Sequence, residues 1–80
     1  MAKVTLLYFA SLRDAAGASS EILDTAAPDL AALYNDARER HGFALAVDRL
    51  RVAVDGAFAH WTDAVRDGSE VAFIPPVSGG

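Results

Sequence analysis

The 80-residue sequence contains no cysteine. That single absence removes thiol catalysis, disulfide staples and thiolate metal sites, and it suits a reducing compartment. Lysine is almost missing too: Lys3 is the single one among seven basic residues, so the chain offers few amine nucleophiles on its own surface. Histidine occurs twice, at His41 and His60, with no cysteine or tight carboxylate pair beside either. His41 reads as a cation favoured by a helix C-terminus and His60, next to Trp61, as a rim residue, so no metal ligand is expected. Excess positive charge is lacking as well. The net charge is −4, with eleven acidic residues scattered from Asp14 to Glu70, which argues against nucleic acid as a partner. Arg49 and Arg51 stand at strand spacing, but with no interleaved aromatics they read as a solvated edge. No long apolar stretch or cleavage-site pattern follows Met1, Ala2 and Lys3, so the expectation is a cytoplasmic protein with no membrane partner.

What is present is apolar. Hydrophobic residues make up 52% of the sequence against 22% charged, the balance of one packed domain. A domain this small buries only about 60 to 65% of its unfolded surface, so without disulfides its core has to be efficient.

The hydrophobic pattern changes period along the chain. Val4, Thr5, Leu6, Leu7, Tyr8 and Phe9 form a nearly continuous β-prone run, as in a central strand covered on both faces. Arg13 to Gly17 reads as a connection, and Glu21, Ile22 and Leu23 as a short second strand forming a hairpin with the first. From Asp29 to His41 the apolar positions Leu30, Leu33, Tyr34 and Ala37 fall on one helical face. Pro28 and Asp29 suit its start, and Arg38, Arg40, His41 and Gly42 its end. Leu50, Val52 and Val54 then alternate with Arg49, Arg51 and Ala53 up to the turn pair Asp55 and Gly56, followed by a short strand around Phe58. After a second turn pair, Asp67 and Gly68, the run Glu70 to Ile74 reads as another interior strand. Asp63, Asp67 and Glu70 bracket turns and are assigned no chemistry. One helix and about five strands, with the first and last strands parallel in the middle of a mixed sheet, define an α+β protein of β-grasp, or ubiquitin-like, fold. The domain is expected over 1–75, with a flexible tail over 76–80.

That tail ends on Gly79 and Gly80, a pair that chance would place there roughly one time in 200. Without Cβ atoms, such residues can pass through a narrow channel and present the terminal carboxylate itself as the reacting group. Pro75 and Pro76 fix φ at the base of the tail and reduce the ordering penalty of insertion, and Pro75 to Gly80 can reach on the order of 20 Å. The ordinary alternative is a frayed terminus that happens to contain glycine.

The segment from Asp67 through Phe73, Ile74, Pro75, Pro76, Val77, Ser78, Gly79 and Gly80 resembles the terminal signature of the molybdopterin synthase small subunits, a family of ubiquitin-like sulfur carriers. Phe9, Ala10, Ser11, Leu12 and Arg13 with Gly17 resemble that family's first strand and loop, and Val54, Asp55 and Gly56 its second hairpin. Asp55 departs from a frequent Asn, and Ser78 from a frequent Ala or Thr, which bears on partner preference more than on chemistry. The resemblance implies that an activating enzyme, related to those that activate ubiquitin, consumes ATP to adenylate Gly80. A sulfur donor then converts it to a thiocarboxylate. It implies insertion of Pro75, Pro76, Val77, Ser78 and Gly79 into a large subunit, in a heterotetramer of two small and two large chains, where sulfur passes to a pterin precursor. The chain would donate sulfur with no catalytic site of its own and no stably bound cofactor. It also implies a partner-binding patch of Phe9, Phe58 and Ile74 on the sheet face that one helix cannot cover, although Phe and Ile are more commonly core residues. A carrier for thiamine or cysteine biosynthesis, a protein modifier joined through Gly80 to lysine, and an inert binding module are the competing readings.

Overall fold

Five strands form one mixed sheet in the order β2-β1-β5-β3-β4. They are β1 (Ala2–Tyr8), β2 (Ser20–Thr25), β3 (Arg51–Val54), β4 (Ala57–Ala59) and β5 (Glu70–Ile74), and the main helix, α2, spans Leu30–His41. A short helix α1 covers Ser11–Ala16, and a 3₁₀ turn covers Val47–Arg49. The computed structural model describes residues 1–76; Val77, Ser78, Gly79 and Gly80, and with them most of the expected tail, lie outside the described residues.

The first and last strands are parallel neighbours, with Thr5 opposite Glu70 and Tyr8 opposite Phe73. β1 also pairs antiparallel with β2, and β5 with β3, so each of the two apolar runs lies inside the sheet. This is the β-grasp arrangement expected from the sequence. Strand alternation then sorts the side chains. Val4, Leu6, Tyr8, Val52, Val71 and Phe73 point to the helix side and are almost wholly buried, against Leu30, Leu33, Tyr34 and Ala37 of α2. Leu12, Phe43 and Leu50 close the rim of the same core. Phe73 lies at its centre, edge-on to Tyr34 with ring centroids 5.0 Å apart and stacked on Trp61 at 6.1 Å.

α2 begins one residue later than its periodicity suggests. Asp29 is the N-cap, its Oδ1 accepting from the Ala32 amide at 2.8 Å, and Pro28 precedes the cap instead of opening the first turn. Gly42, at φ 72, ends the helix in the left-handed region where lack of a Cβ matters.

Three expectations need correction. Arg13 to Gly17 is not a plain connection: α1 runs through it and drops Leu12 into the core, but six residues are too few for helical periodicity to show. Arg49 lies in the 3₁₀ turn, so it does not share a strand face with Arg51, where β3 starts. β1 is central by hydrogen bonding but covered on one face only. Thr5 and Leu7, pointing away from α2, are half-buried.

Candidate functional site

The face turned away from α2 receives the other half of each strand: Thr5 and Leu7 of β1, Glu70, Ala72 and Ile74 of β5, Arg51 and Ala53 of β3, and Phe58 of β4. Leu7, Phe9, Ala53, Phe58, Ala72 and Ile74 line a shallow, mostly apolar groove of about 280 Å³ there, with Glu70 as its one charged lining residue. Phe58 is 71% exposed and Phe9 45%, while Ile74 is half-buried. The three residues picked from the sequence as a patch are therefore brought together on one open surface. A second depression, about 380 Å³, lies by the β3–β4 turn, but Asp55, Asp63 and Arg66 make its lining polar. The apolar groove is the better docking candidate because burying it takes little polar surface out of water.

Local geometry holds this surface in place. Asp55 and Gly56 both have positive φ, 50 and 86, which gives the β3–β4 hairpin the tight turn that matches strand twist. Asp55 also ties the turn to β5: its amide donates to the Glu70 carbonyl, and its Oδ1 accepts from the Glu70 amide, both at 2.9 Å. The Arg51 guanidinium stands 5.8 Å from the centre of the Phe58 ring, a cation over an aromatic face at the edge of the groove.

β5 leaves the sheet at Ile74, opposite Arg51. Pro75 and Pro76 follow, and having no N–H they cannot extend the ladder, so the chain is released from the sheet beside the groove. Of the tail positions named from the sequence, Pro75 is half-buried and Pro76 exposed; Val77, Ser78, Gly79 and Gly80 lie outside the described residues.

Sequence reasoning missed a polar cluster on the helix side. Glu21 of β2 accepts from the Tyr8 hydroxyl at 2.7 Å and from both terminal nitrogens of Arg40, at 3.0 and 3.2 Å, and its Oε1 lies 3.1 Å from His41 Nε2. His41 also meets the Tyr8 ring edge-on at 5.6 Å. No local pattern links Glu21 to α2, because the sheet register alone brings them together. The Arg40 hydrogen bond is the main cause holding the Glu21 carboxyl down at about 2, while burial and then the Glu21 carboxylate push the Tyr8 phenol above its ordinary range. A carboxylate lowered on folding adds stability that is complete above its ordinary value near 4.5 and disappears as pH falls toward 2. Glu21→Gln should therefore lower the melting temperature at pH 7 and converge with wild type near pH 2 in circular dichroism melts. Water screens this pair, so the gap at pH 7 should correspond to about 1 kcal/mol or less. A gap that persists unchanged into acid would remove the charge from the explanation.

His60 is exposed, and its amide donates to Asp63 Oδ2 at 3.1 Å in a turn. Among the described residues no three His, Asp or Glu side chains converge to hold a metal ion, and no helix is long and apolar enough to cross a membrane.

A β-grasp domain whose central last strand runs out beside an open apolar groove into a proline-stiffened segment is a ubiquitin-like protein. The chain belongs to the ThiS family, whose model matches residues 6–80 and so runs through the diglycine. It is 32% identical over 80 residues to the molybdopterin synthase sulfur carrier subunit of Escherichia coli, covering 96% of this chain and 99% of that one. Among solved structures it resembles the putative molybdopterin converting factor subunit 1 of Pyrococcus furiosus, with TM-score 0.81 and 29% identity over 96% of this chain and 100% of that one. It also resembles SAMP1 of Haloferax volcanii, with TM-score 0.79 and 25% identity over 98% of this chain and 99% of that one.

Proposed function

We propose that this chain is the sulfur carrier subunit of a molybdopterin synthase, carrying sulfur as a thiocarboxylate on Gly80. The observation that supports the reading most is the family match running through Gly79 and Gly80, on a chain that leaves the sheet at Pro75 beside an apolar groove. In this reading an adenylating enzyme places the Gly80 carboxylate against ATP. A carboxylate oxygen attacks the α-phosphorus and pyrophosphate leaves. Sulfide from a donor then attacks the acyl carbon and AMP departs, leaving the thiocarboxylate. The large, polarizable and weakly hydrated sulfur becomes a good nucleophile once bulk water is excluded. It attacks a carbon of the pterin precursor inside the large subunit as an oxygen leaving group departs, and hydrolysis of the resulting thioester returns the Gly80 carboxylate and leaves the sulfur on the pterin. Two small and two large chains form the working assembly, and its place is the cytoplasm, where ATP is at hand. This chain holds no cofactor and contributes the sulfur, the tail and the docking face.

Intact mass of the chain isolated from its native host tests the reading. A gain equal to the sulfur-for-oxygen difference, located at Gly80 by fragmentation, is the expected result. A tail that stays unmodified in the host, and again with ATP, activating enzyme and sulfur donor, would overturn it. The likeness to SAMP1, whose full name is small archaeal modifier protein 1, favours a second reading as a protein modifier, which predicts higher-mass lysine adducts in extracts instead.

The groove is assigned to the large subunit. Phe58→Asp should weaken that complex at least 30-fold by titration calorimetry, about the 2 kcal/mol of a central interface residue, with an unchanged circular dichroism spectrum because the ring is mostly in water. Loss of the folded state instead would put Phe58 in the core and end the assignment.

A further inference from the structure

The end of the domain from which β5 departs is rich in cations, and none of them is a lysine. Arg51 is opposite Ile74, the last residue of β5. Arg49 lies in the 3₁₀ turn just before β3, and Arg13 in α1 just after β1, whose end adjoins that of β5. Arg38 and Arg40 close α2, where His41 and Phe43 pack on Tyr8 at the same end of β1. The single lysine, Lys3, sits at the opposite end: its carbonyl accepts from Gly68 and its amide donates to Asp67, both ahead of β5. The sixth arginine, Arg66, is there too, its carbonyl accepting from Ser69.

Arginine and lysine differ here in one decisive way. A lysine amine is a nucleophile whenever it loses its proton, whereas a guanidinium stays protonated and does not accept acyl groups. The stretch from Pro75 to Gly80 has a reach on the order of 20 Å, so the terminal acyl carbon can return to a side chain at position 51. Joining two groups through so few residues raises their effective concentration to roughly the millimolar range. Any amine at position 51 therefore competes directly with an external nucleophile.

Resting on the activation of Gly80 proposed above, we propose that Arg51 is a specificity-determining residue: it supplies a cation at the root of the tail, beside Ile74 and over Phe58, that cannot take the acyl group. The activated carbonyl is thereby left for an external sulfur nucleophile instead of closing an amide ring onto its own domain. In the avoided reaction a lysine nitrogen attacks the Gly80 acyl carbon, the C–N bond forms, the leaving group departs with the bonding electrons, and the ammonium proton passes to solvent.

The test uses the full chain bearing an alkyl thioester at Gly80, so that it needs no activating enzyme and is separable from the proposed function. Wild type, Arg51→Lys and Arg66→Lys are held at mildly alkaline pH and followed by intact mass. Arg51→Lys should lose its thiol at least tenfold faster than wild type and end one water lighter than the free acid, with fragmentation joining the side chain at position 51 to Gly80. Arg66→Lys should hydrolyse like wild type to the free acid. Hydrolysis without ring closure in Arg51→Lys, or equal ring closure at position 66, would overturn the proposal. An unmodified Gly80 in the host would instead remove the proposed function while leaving this chemistry measured.

Discussion

Removal of Gly80 alone should abolish sulfur transfer completely while leaving thermal unfolding within about a degree of wild type. The reasoning joins two separate parts of the molecule. Stability resides in the core between the sheet and α2, where Val71 and Phe73 are fully buried, and among the described residues no buried core residue follows Phe73. The proposed chemistry resides in one carboxyl group at the far end of the tail. A chain ending at Gly79 still offers a glycine carboxylate, but it is one residue, about 3.3 Å, short of the water-excluding site proposed to receive it. In near-attack geometry a shift of about 1 Å already lowers rate about a hundredfold, so a whole residue takes transfer below detection. The assay is single-turnover sulfur transfer from a pre-formed thiocarboxylate, with a melt on the same sample. Retained transfer by the shortened chain would refute the carrier reading, and a large fall in melting temperature would show that the tail belongs to the core.

Phe73→Ala should produce the opposite phenotype. Phe73 is wholly buried and contacts rings from three parts of the chain: Tyr34 of α2, Trp61 of the loop before β5, and Tyr8 of β1 at 6.4 Å. Truncating a buried phenylalanine removes its transfer free energy and leaves a cavity, together about 3 to 5 kcal/mol. A domain of this size has roughly 4 to 12 kcal/mol in total. The expected result is a fall in melting temperature on the order of 20 °C, measured by calorimetry, with part of the population unfolded at about 37 °C. A loss under about 1 kcal/mol would mean that the neighbouring rings collapse into the space, contrary to the edge-on packing with Tyr34.

These outcomes also show how much of the molecule can be read from its residues. Leu30, Leu33, Tyr34 and Ala37 announce α2 through their spacing, and the apolar runs ending at Phe9 and Ile74 announce two interior strands, because burial imposes a period on sequence. The pairing of those strands is legible too, since one helix must cross over both. α1 escaped because its single core contact, Leu12, sets up no period, and the 3₁₀ turn at Val47–Arg49 was hidden under an alternation that Leu50 and Val52 continue. The Tyr8, Glu21, Arg40 and His41 cluster was illegible for a different reason: it depends on register between segments far apart in the chain, and no residue in it is unusual on its own. Phe9, Phe58 and Ile74 were identified through family resemblance, and their physical mark, large apolar groups left in water, becomes visible only once the sheet's open face is known. The motif that carries the proposed chemistry, Gly79 and Gly80, needs no fold to be noticed.

The placement of β5 between β1 and β3 also governs when this domain can exist at all. Until Glu70 to Ile74 is available, β1 with β2 and β3 with β4 are two hairpins with nothing between them, and the contact that joins Lys3 to Asp67 spans 64 residues. The pairings that unite the sheet are thus non-local, which makes folding comparatively slow and leaves no smaller folded unit to form first. During synthesis β5 emerges after the other four strands, so the sheet can be completed only when Glu70 to Ile74 has appeared. Completion of the sheet and assembly of the open apolar face are therefore one event: without β5 the groove lacks both Ala72 and Ile74, and β1 and β3 have no strand between them.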